Sequence, residues 1–221
     1  MDLHLGSTMS PMTKDEMFRA ISAQRVRLID QLEGFTAEDW DTPSLCAGWK
    51  VRDVVGHLVS ILEVPMPKFV GKAILAGSFD KVADRFAREI GAREPRALVD
   101  SFRVLASKRF APPGVGPIAP LTDLLVHTRD LERPLGLAST LDMQSVHMVL
   151  NYVCGGKARG FVPAKRTNGL RFVATDSDWS IGSGPLVTGT GEAIMLAATN
   201  RPSALADLSG DGLTSLAARL T

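Results

Sequence analysis

Hydrophobic positions in the first 155 residues recur three and four apart, which is the spacing of helices that bury one face. The pattern predicts helices over residues 14–32, 51–64, 79–90, 96–108, 122–136 and 142–152. Residues 69–76 fit either a short helix or an irregular segment. Because no convincing strand interrupts this series, the simplest architecture is an antiparallel helical bundle.

The pattern changes after Gly155-Gly156. Short runs at 170–174, 179–181 and 186–188 are typical of strands, and an alanine-rich helix is predicted over 192–199. Asp211 is predicted to cap a final helix over 212–220. We therefore expect a flexible N-terminus (1–12), a helical bundle (13–155) and a small α+β C-terminal domain (160–221).

Composition and charge narrow the class of protein. Hydrophobic residues make up 45% of the 221 residues and charged ones 22%, as in soluble globular proteins. The net charge of +1 argues against a nucleic-acid or anionic-lipid partner. Cys46 and Cys154 form no disulfide framework, and no signal peptide or membrane span is evident. These features predict a cytoplasmic protein, either a monomer or a homodimer.

The helix over 122–136, TDLLVHTRDLERPLG, carries three polar groups on one narrow sector: Asp123, His127 and Asp130. Apolar residues flank this sector, so the three groups are expected to be partly buried. Burying them is costly unless something satisfies them. Two interpretations stay open: a divalent metal ion, or a hydrogen-bonded His–Asp cluster at the edge of the core.

The metal hypothesis adds His57 from the helix over 51–64. Asp123 and His127 share a helix face, and His57 on a facing helix would complete a set of three ligands. Two histidines and one carboxylate are typical of catalytic zinc, although iron(II), manganese and nickel also fit. Asp130 is then a supporting residue or an alternative third ligand. Asp53 is expected to accept a hydrogen bond from the His57 ring.

Other chemistries are less well supported. The chain has no GxSxG, P-loop or GxGxxG motif. Cys46 is interpreted as a structural cysteine rather than a nucleophile. Arg129 and Arg133 could clamp a substrate carboxylate, but we favour a surface location for both. His4 and His147 receive no role.

Several motifs resemble one family. The segment PSLCAGWKVRDVVGHL at 43–58 resembles a signature of the actinobacterial mycothiol-dependent maleylpyruvate isomerase family, within the DinB-like group. The segment DLLVHTRDLERPLG at 123–136 is similar to the second motif of that family. Residues 175–179, 182–191 and 208–212 resemble its small C-terminal domain.

The resemblance implies a mainly α fold: a DinB-like up-down four-helix bundle followed by a small α+β domain. It also implies one divalent metal, with Zn²⁺ as the expected ion, held by His57, Asp123 and His127. The isomerase carries glutamate where this chain has Asp123, which draws the oxygen ligand back by one methylene. Lys50 replaces the Ser or Thr often found there, so a helix-capping oxygen is lost.

The activity implied by the resemblance is thiol chemistry. Metal coordination would hold mycothiol as a thiolate, which attacks a small electrophile in isomerisation or S-transfer. No protein cysteine is needed for this step. The alternative is a DinB-like protein that binds a metal or small ligand without turnover.

Overall fold

The computed structural model describes residues 12–112, 114–158 and 162–220. The predicted flexible N-terminus lies almost entirely outside these residues. The chain divides into two compact units. The helical unit comprises Phe18–Phe110 and Asp123–Thr140, and the mixed unit comprises the described residues of 1–17, 111–122 and 141–221. The predicted domain boundaries at 13–155 and 160–221 stay a prediction.

Eight helices lie within residues 12–155 of the described chain. They are α1 (Lys14–Leu32), α2 (Ala37–Asp41), α3 (Val51–Glu63), α4 (Met66–Ala76), α5 (Phe79–Gly91), α6 (Pro95–Leu105), α7 (Ile118–Glu132) and α8 (Met143–Cys154). The helical periodicity is therefore confirmed, and the undecided segment 69–76 belongs to α4. Among the described residues, none of the helices combines the length and apolar character needed to cross a bilayer.

Helix α7 begins four residues before the predicted position, at Ile118 rather than Thr122. Pro120 is tolerated there because the first turn of a helix needs no backbone N–H donor. The helix ends at Glu132, four residues before the predicted end. Gly136 follows with a positive φ of 66°, and the N–H of Leu137 returns to the carbonyl of Glu132 at 2.9 Å. The observed helix is therefore as long as the predicted one and lies about one turn closer to the N-terminus.

Helices α3 and α5 cross with their backbones in close approach. A Cβ atom built on Gly56 would lie 2.2 Å from the carbonyl oxygen of Ala87, and one built on Gly91 would lie 2.7 Å from that of Arg52. Real Cβ atoms do not approach backbone atoms so closely, so only glycine fits at either position. This close crossing fixes where α3 lies along α5, and it therefore fixes the position of His57, the residue that follows Gly56.

The start of α3 is capped from within the helix. Lys50 occupies the N-cap position and its side chain makes no capping bond, as its residue type predicts. The carboxylate of Asp53 accepts a hydrogen bond from the Lys50 backbone N–H at 2.9 Å. Of the two hydrogen bonds of a capping box, the bond from the N-cap backbone to the N3 carboxylate is present, and the bond to an N-cap side-chain oxygen is missing.

The mixed unit contains a four-stranded sheet of order β2-β1-β3-β4. The strands are β1 (Arg171–Ala174), β2 (Ser180–Gly182), β3 (Leu186–Gly189) and β4 (Leu208–Ser209). Strands β1 and β3 are parallel, and the two outer pairings are antiparallel. The short helix α9 (Ala164–Thr167) precedes β1, and the buried helix α10 (Gly191–Ala198) packs against β1 and β3.

The prediction for the last helix is wrong in its cap and its extent. Helix α11 covers Leu213–Ala217 only, and its N-cap is Gly212. The carboxylate of Asp211 instead accepts a hydrogen bond from the backbone N–H of Leu186, at the start of β3. Asp211 therefore makes a contact with a distant part of the chain instead of the local helix cap that the sequence predicted.

Candidate metal centre

Three side chains from α3 and α7 meet within the helical unit. The Nε2 atom of His57 lies 3.4 Å from Oδ1 of Asp123, and Nε2 of His127 lies 3.5 Å from the same oxygen. One ligand atom from each residue lies within 4.8 Å of the other two. The structure therefore brings together the three residues that the sequence put forward as metal ligands.

These separations fit a metal ion better than a hydrogen-bonded cluster. Hydrogen bonds between N–H and oxygen usually span about 2.7–3.2 Å, and both observed separations are longer. Ligand atoms about 2.0–2.2 Å from a tetrahedral zinc ion lie about 3.3–3.6 Å apart. The donor set of two imidazoles and one carboxylate also suits zinc chemically. The residues present therefore fit a divalent ion.

His127 is held firmly on the buried side of the cluster. Its Nδ1 atom pairs with Oδ2 of Asp130 at 2.9 Å, and Asp130 is fully buried. This bond turns Nε2 toward Asp123 and fixes the tautomer, as carboxylate partners of metal-binding histidines do. Burial by itself lowers the pKa of His127, but the Asp123 charge and the hydrogen bonds that His127 makes with Asp130 and Cys46 raise that pKa to about 10.

His57 has fewer partners. Its Nδ1 atom is buried and has no hydrogen-bond partner among the described residues. The predicted bond from the His57 ring to Asp53 is wrong, because the Asp53 carboxylate caps α3 and lies 3.8 Å from Nη1 of Arg88. A carboxylate one turn earlier on a helix can reach either the ring or the open N-terminus. Here the unsatisfied backbone donor takes it.

Trp49 lies against both imidazoles and was missed by the sequence analysis. Its ring centroid is 5.2 Å from that of His57 and 6.1 Å from that of His127, the latter with an interplanar angle of 30°. The signal that could have found it is an aromatic residue directly before a helix that carries a ligand. A tryptophan there lies close enough to the first turns of that helix to contact the ligand.

Cys46 also lies at the cluster. A ligand atom from each of Cys46, His127 and Asp130 lies within 4.8 Å of the other two. Cys46 is partly exposed, whereas burial raises the pKa of the Cys154 thiol well above its usual range. The two cysteines, which look alike in the sequence, therefore occupy different environments.

Arg25 of α1 is a second residue that the sequence analysis missed. Its side chain is buried, and its Nη1 atom donates to the carbonyls of Ala106 and Lys108 at 3.1 and 2.8 Å. Burial lowers the pKa of Arg25 to about 10, and the Asp123 charge opposes that effect. The helical spacing could have predicted that Arg25 is buried, since it lies four residues after the buried Ile21 and three before the buried Leu28.

The surface location predicted for Arg129 is wrong. Arg129 is buried and its Nη1 atom pairs with the fully buried Glu132 at 2.6 Å. Glu132 also accepts from Thr140, which in turn accepts from Gln24 of α1. Arg133 is half-buried, so neither arginine is a simple surface residue. Arg129 pairs with the internal carboxylate of Glu132, so its interpretation as a clamp for a substrate carboxylate is not supported by this contact.

The fold and the cluster together define a helical protein with a two-histidine, one-carboxylate centre. Residues 21–64 match the family model of the mycothiol maleylpyruvate isomerase N-terminal domain. The resemblance recognised in the sequence motifs is thereby confirmed. No curated protein sequence matches the chain.

Two solved structures share the fold. A mycothiol-dependent maleylpyruvate isomerase with one histidine replaced by alanine is 11% identical, with a TM-score of 0.64. A second structure of that isomerase is 13% identical, with a TM-score of 0.58. Each match covers 92% of this chain and 96% of the other. The predicted fold class, mainly α with a small α+β part, is confirmed.

Proposed function

We propose that the protein is a divalent-metal-dependent enzyme in which a low-molecular-weight thiol attacks a small electrophile. The metal ligands are His57, Asp123 and His127, and zinc is the expected ion. The observation that carries the proposal is the spacing of the three donor atoms, with 3.4 and 3.5 Å from the Asp123 oxygen to the two imidazole nitrogens. The family match over residues 21–64 supports mycothiol as the thiol.

A divalent ion bound at such a centre supplies the positive charge that keeps a small thiol as its nucleophilic thiolate near neutral pH. The protein residues have distinct tasks around it. Asp130 holds the His127 ring so that Nε2 faces the shared oxygen. Three protein ligands leave a coordination position for an exogenous molecule, which is the arrangement of catalytic rather than structural zinc.

The substrate class is a small molecule with an electrophilic carbon. Isomerisation and S-transfer both begin with attack by the thiolate, and they differ in the fate of the thiol. An isomerase releases the thiol again, whereas an S-transferase consumes one thiol for each electrophile. We expect this chemistry in the cytoplasm, from a monomer or a homodimer, without nucleic acid or membrane as partner.

The first experiment measures metal content by mass spectrometry on protein purified without a metal-affinity column. We expect about one metal per chain, and none in His57→Ala or Asp123→Ala. His147→Ala is the matched control, because His147 is a buried histidine that bonds Ser177 in the mixed unit. A wild-type protein that takes up no zinc, even when zinc is supplied, would overturn the proposal and leave a hydrogen-bonded polar cluster.

A second experiment separates turnover from binding. The metal-loaded protein is given mycothiol and a panel of electrophiles that includes maleylpyruvate, and loss of both reactants is followed. Isomerisation leaves the thiol concentration unchanged, and S-transfer lowers it in step with the electrophile. A protein that binds metal and thiol but converts no electrophile would favour the non-catalytic alternative. The reason to test that alternative in this chain is Asp123, whose side chain is one methylene shorter than the glutamate that the isomerase carries there.

A further inference from the structure

We propose that Asp84 on α5 is a positioning residue for the two imidazoles and that it acts through the indole of Trp49. This inference rests on the proposed metal centre and extends it to a carboxylate that touches neither histidine. The residues involved come from three parts of the helical unit: the segment before α3, α5, and the two helices that carry the ligands.

The indole of Trp49 covers the imidazole pair from one side. The indole plane makes an angle of 45° with the His57 ring and 30° with the His127 ring. The centroids of the two imidazole rings are 4.8 Å apart. A ring that contacts both imidazoles limits how far either can rotate. The position of the indole therefore bears directly on the spacing of the two Nε2 atoms.

Asp84 fixes that indole by a hydrogen bond. The Nε1–H of Trp49 donates to Oδ1 of Asp84 at 2.8 Å, and this bond is the main reason that the pKa of Asp84 is lowered. Arg88 donates from Nε to the same oxygen at 2.9 Å. The Nη2 group of Arg88 also donates to the carbonyl of Gly48 at 2.9 Å. One arginine thus holds both the acceptor and the backbone before Trp49.

The backbone of Trp49 itself is also fixed by hydrogen bonds. Its N–H donates to the carbonyl of Cys46 at 3.0 Å, and its carbonyl accepts from the N–H of Ser44 at 2.9 Å. With the main chain held in this way, the side-chain torsions are the remaining freedom of Trp49. The bond to Asp84 selects one orientation among them.

Removing the acceptor should loosen the imidazole pair without removing a ligand. We expect Asp84→Ala to weaken zinc binding by about 10-fold, at the low end of the effect seen for residues that orient metal ligands. Trp49→Phe keeps an aromatic ring but has no N–H to donate, so it should cause a similar loss. Asp100→Ala is the matched control, because Asp100 is an exposed aspartate paired with Arg96 and Arg103 on α6.

The test measures zinc affinity by competition with a chelator and the visible absorption of the cobalt(II)-loaded protein. The cobalt spectrum reports the geometry around the ion, which a general loss of stability does not change. We expect an altered spectrum in Asp84→Ala and Trp49→Phe and an unchanged one in Asp100→Ala. Urea unfolding of the metal-free variants confirms that each is folded.

The double variant decides whether Asp84 acts through Trp49. If it does, Asp84→Ala combined with Trp49→Phe binds zinc no more weakly than either single variant. Additive losses would contradict that route. Zinc affinity and cobalt spectrum of Asp84→Ala equal to those of Asp100→Ala would overturn the inference while leaving the metal centre intact. A wild-type protein that binds neither ion would overturn the metal centre itself.

Discussion

The α7 side of the cluster and the α3 side are prepared in different ways. On α7, His127 is buried and bonded to the fully buried Asp130. On α3, the buried Nδ1 of His57 has no hydrogen-bond partner within the part of the chain that the structure describes, and the position of His57 depends on the close crossing at Gly56. The α7 ligand is therefore oriented by a side-chain bond, whereas the α3 ligand is placed by packing of the backbone and the Trp49 ring.

The largest expected effect concerns the charge on the α7 side. The pKa of His127 in the folded metal-free protein, about 10, exceeds its ordinary value of 6.5, so the folded state binds more protons between these limits. The stabilisation is complete below pH 6.5 and is lost as the pH rises toward about 10. At about 1.4 kcal/mol per pKa unit, the loss is on the order of several kcal/mol.

This loss is measured by urea unfolding of chelator-treated protein across that pH range. His127→Gln keeps a polar side chain that does not titrate, and it should flatten the dependence. His57→Gln should leave most of it, since the supporting bond lies on α7. An unchanged pH dependence in His127→Gln would show that the asymmetry between the two sides is not electrostatic.

The next effect tests the packing on the α3 side. Gly56→Ala places a Cβ 2.2 Å from the Ala87 carbonyl oxygen, so α3 and α5 must separate. We expect a loss of about 3 kcal/mol in the free energy of unfolding, comparable to overpacking in a core. Gly71→Ala on α4 is the control, because a Cβ there meets nothing within 4 Å. That change should stabilise the protein by about 0.5–1 kcal/mol through helix propensity.

Metal affinity compares the two sides directly. Asp130→Asn should weaken zinc binding by about 10- to 100-fold, because His127 loses the carboxylate that orients it. Asp53→Asn is the matched change on α3 and should alter affinity by less than about twofold, since Asp53 caps the helix and does not bond His57. Competition with a chelator measures both constants. Equal losses would mean that both histidines depend on a neighbouring carboxylate.

The smallest effect concerns the shared oxygen. Asp123→Glu adds one methylene and moves the carboxylate away from a position that is 3.4 and 3.5 Å from the two imidazole nitrogens. We expect zinc binding about fivefold weaker, because ligand geometry tolerates shifts of only about 0.5 Å. Asp30→Glu on the exposed side of α1 controls for the added methylene. Tighter binding by Asp123→Glu would show that this helix spacing prefers the longer side chain.

The helices could be predicted because their signals are local. Apolar spacing placed α1 correctly at both ends, and the i, i+4 relation of Asp123 and His127 follows from helix geometry. That His57 faces them was a hypothesis from side-chain chemistry, which resemblance to a family supported, since no local pattern relates residues 66 positions apart. The start of α7 was misplaced because Pro117 and Pro120 suggest a loop but are compatible with a first turn.

The errors arise where a side chain has two partners to choose from. Asp53 could bond His57 or the helix N-terminus, and Asp211 could cap α11 or bond β3. Arg129 is a charged residue whose burial depends on Glu132, one turn further along the same helix. A typical hydrogen bond contributes only about 1 kcal/mol net to stability, so local preference alone does not select between such partners. Tertiary packing decides between them, and a single sequence does not contain it.

The separation of the ligands along the chain also sets when the centre can form. His57 and Asp123 are 66 residues apart, and Asp123 and His127 share one helix that comes later. At about 5–20 residues per second, a ribosome needs about 3–13 s to add the residues between them. Throughout that interval the nascent chain carries His57 without the other two ligands. Under the proposed function, the ion can therefore be bound by all three residues only after α7 has been synthesised.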